Sequence, residues 1–595
     1  MMKISARSRL LIGVLFLFVF SMCNLPVGNS GPREVVLNED GSGDFETLQI
    51  AIEKLASGST ITLSPGTYYV GESINILKGL TIKGMIDSTT IITNTSDYGF
   101  MYENPEETLT LEGIIFQNQS TTPTDVFRAN SGILSIKDCT FSGAVGDEED
   151  FVAAGLYITG TTKVTITDSF FNQNSMHGLS VYDQAVVEIS GSKFSQNAGG
   201  GLRFGDDSKG ILNNNLFSEN GWSGLIVSEN ANVEAIQNTF ANNQQSGAAF
   251  FENSSGTITQ SESYGNQYNG FSLIGNSKFT IQESSVYENT DYGIDVFETA
   301  QLTAVSNFIF KNQSSGISVI DAAQGLIEQN QIYENESNGI RVAGSGMAEI
   351  KNNTIYLNSA NGISVYDTGN VIVTNTIAEK NEVGIRFGDQ ATGDVNQNSF
   401  NENTLSGIIL TDDSNVTISA NTSTKNTESG LAVFKNASAE ISDNVFDQNK
   451  SDGISLYDAS QVTAINNFMR ENESFGVKLK DNARVILRQN TIEANLLTGI
   501  VLFDTNYGEL INNVCSRNIE HGISIQGSSE AIVQMNIVEA NGSAGIGVFD
   551  QAYPTIQDNQ CIGNNIGIYI EGTTNPTLGS NDCQQNTSGD VIDSR

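Results

Sequence analysis

From Gly155 to Gly567 a glycine followed by alternating apolar residues returns every 23 residues, with two intervals of 22. Nineteen such returns describe one short unit built many times, a period that overrules any division of the chain into separate domains by length. Four residues before most of these glycines stands an asparagine, in the column Asn174, Asn197, Asn220, Asn243 and onward to Asn541. In the two short units the missing residue falls between Asn381 and Gly384 and between Asn564 and Gly567, so each slip is a turn deletion that leaves the columns aligned. Seven residues before the glycine runs an apolar column that includes Phe171, Phe194, Phe217, Phe240, Ile309 and Ile355, which reads as a core stack. The residues one and three after the glycine are apolar while the one between varies (Leu179 and Val181, Ile363 and Val365), the alternation of a strand. A unit of this length with short strands, turn asparagines and no helical stripe buries its inner face only against its neighbours. The predicted fold is therefore all-β, a single parallel β-solenoid.

The recurring Asn-x-Phe/Ile-x-x-Asn (Asn215, Phe217, Asn220; Asn238, Phe240, Asn243) followed by Gly-Ile/Leu-x-Val resembles the right-handed parallel β-helix repeat of the pectin-lyase-like superfamily. The resemblance covers roughly residues 100 to 585, and right-handedness follows from it. It fixes no activity, because this superfold carries lyases, hydrolases, esterases, epimerases and non-enzymatic proteins. Upstream, Val35 to Leu37, the turn Asp40 to Asp44, the helical spacing of Thr47 to Leu55 and the Pro65-Gly66-Thr67-Tyr68 segment resemble the N-terminal cap and first coils of pectinesterases. A solenoid needs such a cap, since its first coil would otherwise leave an open core and bare strand edges. Residues 1–30 read as a signal peptide, 31–95 as the cap and first coils, 96–154 as irregular coils and 155–595 as the regular array.

Lys3, Arg7 and Arg9 precede an apolar run from Leu10 to Phe20, too short to span a membrane comfortably and flanked as a secretory signal is. The expectation is a secreted or cell-surface protein. Phe20-Ser21-Met22-Cys23 resembles a bacterial lipobox, with Met22 departing from the usual small residue, so a lipid anchor at Cys23 is the alternative membrane attachment. A formal net charge of −39 argues against a nucleic-acid partner. The cysteines show no CxxC, and only two histidines are present, which leaves no zinc site. Cys583 follows Cys561 by 22 residues and should stack on it at about 4.8 Å, as a disulfide or as a thiol pair.

Three columns carry candidate chemistry. The asparagine column is assigned to structure, because stacked amides bond along the axis. Five residues after the glycine stand acids, among them Asp183, Asp206, Glu229, Glu252, Asp321 and Asp504, where units lacking an acid mostly have glycine. Acid-for-glycine exchange marks a turn tolerant of positive φ, with a Ca²⁺ row as the other reading; the loop Asp147-Glu148-Glu149-Asp150 is a further Ca²⁺ candidate. Beside the acids lie Tyr182, Phe251, Phe297, Tyr366, Phe434 and Tyr457, either core or a surface for sugar faces. Two residues after the glycine, pointing outward, run Ser180, Arg203, Ile226, Ala249, Ser272, Asp295, Ser318, Arg341, Ser364, Arg386 and on to Lys478. Asp295 should lie two rungs from Arg341, about 10 Å along the axis.

Tyr292-Gly293-Ile294-Asp295-Val296-Phe297 resembles the Tyr-Gly-Phe/Ile-Asp-Pro-His signature of β-helical alginate C5-epimerases, with Val296 and Phe297 departing from its proline and histidine. That resemblance implies catalytic roles for Tyr292 and Asp295, and the pectate-lyase resemblance implies Arg341 or Arg386 as the base that takes a C5 proton, with Ca²⁺ offsetting the substrate carboxylate. The leading expectation is an exported monomer that binds an extracellular polysaccharide along its solenoid face. A uronate lyase or C5-epimerase, and a structural or adhesion protein, are the alternatives.

Overall fold

The computed structural model describes residues 31–146 and 153–595. The expected signal segment, Cys23 and the acidic loop from Asp147 to Asp150 lie outside the described residues. Each regular turn of the solenoid contributes three strands; the turn of Gly178 supplies His177–Val181, Val186–Ser190 and Lys193–Ser195. They pair parallel and in register with the next turn, Leu179 on Leu202, Val187 on Gly210 and Phe194 on Phe217. Leu179, Val181, Val187, Ile189 and Phe194 point inward and are at most 1% exposed. The expected core stack is present: the rings of Phe171, Phe194, Phe217 and Phe240 follow one another at 4.8, 4.9 and 5.1 Å, the spacing of the strands that carry them.

Three corners separate the strands, and each turns on a residue with left-handed backbone, such as Asp183 (φ 56°), Gly191 (61°) and Gln196 (56°). Two of the corners are lined inside by asparagine ladders. The Asn197 amide donates to Asn220 Oδ1 at 3.0 Å and to the Phe171 carbonyl at 3.0 Å. Its own Oδ1 accepts the backbone N–H and the side-chain amide of Asn174. All four hydrogen-bonding positions of the carboxamide are thereby filled in a buried site. The second ladder, nine residues before the glycine, joins Asn215 to Asn238, passes through Ser261 and Ser284, and resumes from Asn307 through Asn330 to Asn353. The 22-residue units keep the first ladder continuous, Asn358 to Asn381 at 3.0 Å and Asn541 to Asn564 at 2.9 Å.

The repeat glycine is required by close approach. A Cβ on Gly178 would lie 2.6 Å from the Gly201 carbonyl oxygen, 3.0 Å from Asn197 Nδ2 and 3.0 Å from Phe171 Cβ. Backbone, ladder and core stack leave no room for a methyl group.

At the N-terminal end the helix Leu48–Lys54 buries Leu48, Ala51 and Ile52. Thr47 caps it by accepting the Ile50 N–H, and Lys78 Nζ reaches the carbonyls of Glu53 and Leu55 at its other end. The irregular coils include two long strands, Asp97–Glu112 and Thr124–Lys137, paired with each other. Near the C-terminus Cys583 sits in register on Cys561 as its spacing predicts, and both are free thiols.

Candidate functional site

The side chain two after the glycine points away from the core, yet the position is not open surface. Asp295 is 8% exposed, Ser180, Ser318, Ser364 and Ser455 are fully buried, and Arg203, Arg341, Arg386 and Lys478 are half-buried. The strand is only three residues long, so the turns on either side rise above it and leave its outer face as the floor of a groove. Asp295 pairs with Ser318 and Ser318 with Arg341, the two-rung separation expected from the sequence. The outward-pointing column is therefore a floor lying between walls.

One wall consists of the residues four after the glycine. Tyr182, Phe251, Phe297, Tyr366, Phe434 and Tyr457 are all half-buried, neither core nor free surface. Phe434 and Tyr457 stack at 5.0 Å, and the Arg203 guanidinium lies 5.7 Å from the Tyr182 ring centre. The residues one and two before the glycine make the other wall. There half-buried Tyr292, next to Asp291, donates its backbone N–H to Asn269 Oδ1 at 3.0 Å.

Buried polar atoms without a protein partner gather on this floor: Ser180 Oγ, Arg203 Nε, Asp295 Oδ1, Ser318 Oγ, Ser364 Oγ and Arg386 Nε. Such groups cost about 1 to 3 kcal/mol each when left unpaired, and folded proteins seldom keep them. Burial pushes the Asp295 carboxyl up to about 6; Asp291 adds to the rise, while the Arg341 charge draws it back. Burial raises Asp291 as well. Asp295 is thus a carboxyl that changes charge near neutrality, with one oxygen unengaged and a cation two rungs away.

Sequence reasoning passed over two wall residues. His177 is fully buried, its Nδ1 accepts the Gly200 N–H at 2.9 Å, and burial followed by the Arg203 charge holds its pKa down at about 4. The ring is neutral, with Nε2 carrying the proton and finding no protein acceptor. Asp452, also fully buried, accepts from Ser455 Oγ at 2.8 Å and lies 3.7 Å from Lys478 Nζ. A column whose commonest residues are serine and asparagine was the available signal for both.

The acidic column has a structural role. Asp183, Asp206, Glu229 and Asp504 all have positive φ, as the turn reading requires. Each acid also accepts the backbone N–H of the residue one turn earlier, Asp183 N–H to Asp206 at 2.9 Å, Glu229 to Glu252 at 2.7 Å and Asp481 to Asp504 at 3.0 Å. Among the described residues no group of three His, Cys, Asp or Glu side chains is arranged to hold a metal ion.

Other surfaces offer less chemistry. A depression of ≈ 470 Å³ on the middle strands, from Gln301 to Ile372, is lined by glutamine, threonine and aliphatic side chains with a lone carboxylate, Glu349. On the third strands Tyr264, Tyr287, Phe310, Tyr333 and Tyr356 stack at 4.9 to 5.0 Å. The inner rings spend both faces on one another.

The sequence matches the family described as Right handed beta helix region over residues 113–261, 154–310, 223–377, 338–479 and 453–594. The chain belongs to the right-handed parallel β-helix family. Among solved β-helices it is similar to the periplasmic alginate epimerase AlgG, at 11% identity over 61% of this chain and 78% of that one, with a TM-score of 0.33. It is similar also to the PL6 family alginate lyase AlyGC, at 12% identity over 94% and 100% of the two chains, TM-score 0.30. The Dettilon tailspike protein matches at 13% identity over 60% and 66%, TM-score 0.32. No curated protein matches the sequence.

Proposed function

We propose that this β-helix is exported and binds an extracellular acidic polysaccharide lengthwise along the groove. The single observation that supports the reading is the row of buried, unpartnered polar atoms on the groove floor, two of them guanidinium Nε–H groups. A chain of net charge −39 places Arg203, Arg341, Arg386 and Lys478 in this one row, where a partner with acceptor oxygens and negative charge would satisfy them. The row advances one side chain per turn at about 4.8 Å, so its partner is a linear polymer. Half-buried aromatic rings on one wall and hydroxyl and amide groups around the floor suit sugar faces and sugar hydroxyls respectively.

The test is a titration with soluble acidic and neutral polysaccharides, each with added Ca²⁺ and with a chelator. Binding of an acidic polymer that weakens with salt and weakens in Arg341→Ala is the expected result. Indifference of every polymer, or equal binding by Arg341→Ala, would end the proposal.

A uronate lyase or epimerase is the second reading, favoured by the Asp295 carboxyl, which titrates at about 6 and keeps an oxygen unengaged. Asp295 would hand a proton to or from the sugar, with Tyr292 beside it and Arg341 two rungs away meeting the uronate carboxylate or taking the C5 proton. Arg386, four rungs from Asp295 and about 19 Å along the axis, would meet a different sugar. Unsaturated products, or solvent hydrogen exchanged into C5, would distinguish turnover from retention. Asp295→Asn should then lower the rate by about 10² to 10⁴ while binding persists.

A further inference from the structure

The groove floor repeats itself at an offset of eight turns. Ser180, Arg203, Ile226, Ala249 and Ser272 occupy five consecutive floor positions, and Ser364, Arg386, Ile409, Ala432 and Ser455 occupy five more in the same order. The spacing is 184 residues for the first pair and 183 for the rest, because a 22-residue turn intervenes. The core columns tolerate Ile, Leu, Val and Phe almost interchangeably, so stacking does not demand this floor order.

The walls and their hydrogen bonds repeat with it. Tyr182 and Tyr366 stand beside the first serine of each copy, and Gly205 and Gly388 follow each arginine. A Cβ on Gly205 would come within 2.7 Å of the Tyr182 ring, and one on Gly388 within 2.9 Å of the Tyr366 ring. Glycine in both copies therefore lets the tyrosine lean along the wall. Ile226 and Ile409 are 9% and 7% exposed, Ala249 and Ala432 both 4%. Each copy closes with a serine pair, Ser246 with Ser272 at 2.8 Å and Ser429 with Ser455 at 2.7 Å. The side chain ahead of the last floor serine bonds to it and to the next wall: Asn269 to Ser272 and the Tyr292 N–H, Asp452 to Ser455 and the Phe475 N–H. The unpartnered atoms coincide too, with Ser180 Oγ and Arg203 Nε in one copy and Ser364 Oγ and Arg386 Nε in the other.

We infer that the groove contains two similarly built binding sites for the same anionic sugar segment, centred on Arg203 and Arg386 and about 38 Å apart, eight turns at about 4.8 Å. The inference rests on the proposed polysaccharide function and adds its stoichiometry and geometry. In each site the arginine, with a buried Nε–H to donate, takes a carboxylate; in the first the guanidinium also lies over the Tyr182 ring. The Ile–Ala floor beneath the next two turns takes the apolar face of the adjoining sugars. The copies are not identical in depth. Trp222 flanks a cavity of ≈ 370 Å³ with Phe251 and Ile226 in the first. Leu405 and Phe434 pack on Ile409 and Ala432 in the second. The first site should be the tighter. A long chain engaging both gains affinity from the second contact because it is intramolecular.

The experiment uses the full chain and two probes, a short uronate oligosaccharide that reaches across about five turns and the corresponding long polyuronate. Calorimetry should find two short oligomers per chain. Arg203→Ala and Arg386→Ala should each reduce this to one, and the double variant should bind at least about tenfold more weakly at both. The long polymer should bind more tightly than the short one, by roughly 10² or more, and lose that advantage in either single variant. Thermal midpoints, together with Arg203→Lys and Arg386→Lys, separate lost binding from lost folding. One oligomer per chain, or a variant at one arginine that leaves the count at two, would overturn the duplication while the groove function stood. Equal binding of a neutral oligomer would overturn the carboxylate assignment. Failure of every polyuronate to bind would remove the function and the duplication together.

Discussion

The asparagine ladders and the groove floor share one period and differ in what they do with it. Along the first ladder the same side chain recurs turn after turn, because each carboxamide is the hydrogen-bonding partner of the one before it, as Asn197, Asn220 and Asn243 show. Along the floor the residue changes from Arg to Ile to Ala to Ser to Asp, and several of its polar atoms bond to nothing in the protein. Uniformity marks a position whose neighbours are copies of itself. Variety in a row sunk between walls marks a position answering to something outside the chain.

The strongest way to break this contrast is to remove a ladder member. Asn330 fills all four of its hydrogen-bonding positions, and Asn330→Ala would leave the buried Asn307 N–H and amide, Asn353 Oδ1 and the Ala304 carbonyl without it. A loss of about 3 kcal/mol or more is expected in denaturant unfolding. A change below about 1 kcal/mol would make the ladder ornamental.

Asp295 tests the floor from the opposite direction. Its folded pKa of about 6 lies above the roughly 3.9 of an unfolded aspartate. Between those values the folded state binds more protons than the unfolded one, so this residue's contribution makes stability fall as pH rises from about 4 to about 6 and stay level above. Asp295→Asn should remove that slope and raise stability at pH 7 by about 2 kcal/mol. Comparing unfolding free energies of the two proteins at pH 4.5 and 7, two points chosen about the pKa values above, checks it. An unchanged pH dependence would return Asp295 to ordinary surface.

The exposed acidic column should respond least. Glu252 accepts the Glu229 N–H from a solvent-facing turn, so Glu252→Gln should shift stability by less than about 0.5 kcal/mol. A large loss in thermal unfolding would promote this column to a second ladder.

Much of this was legible in the sequence. The period, the Phe171 to Phe240 stack and the positive-φ acids follow from residue type and spacing, since stacked turns turn a column of letters into a line of contacts. The burial of Asp295 did not follow from strand alternation, which says only that the residue faces away from the core. How far the walls rise depends on the corners around Tyr292 and Phe297, whose residues vary from turn to turn. The eightfold offset between Arg203 and Arg386 was visible as letters, but the 22-residue turn shifts its register by one and hides it from a fixed-period reading. His177 and Asp452 carried no motif, and their parts in the walls come from backbone N–H groups contributed by the following turn.

The most direct test of the account is the affinity of Arg203→Ala/Arg341→Ala/Arg386→Ala for a long acidic polysaccharide at low salt, read beside its thermal midpoint. With these floor cations gone and every ladder intact, binding should fall by at least about 10² at about tenfold per 1.4 kcal/mol, while the midpoint moves by no more than a few degrees. Undiminished affinity, or a loss that only tracks unfolding, would contradict the assignment of the varied floor to ligand and the uniform ladders to fold.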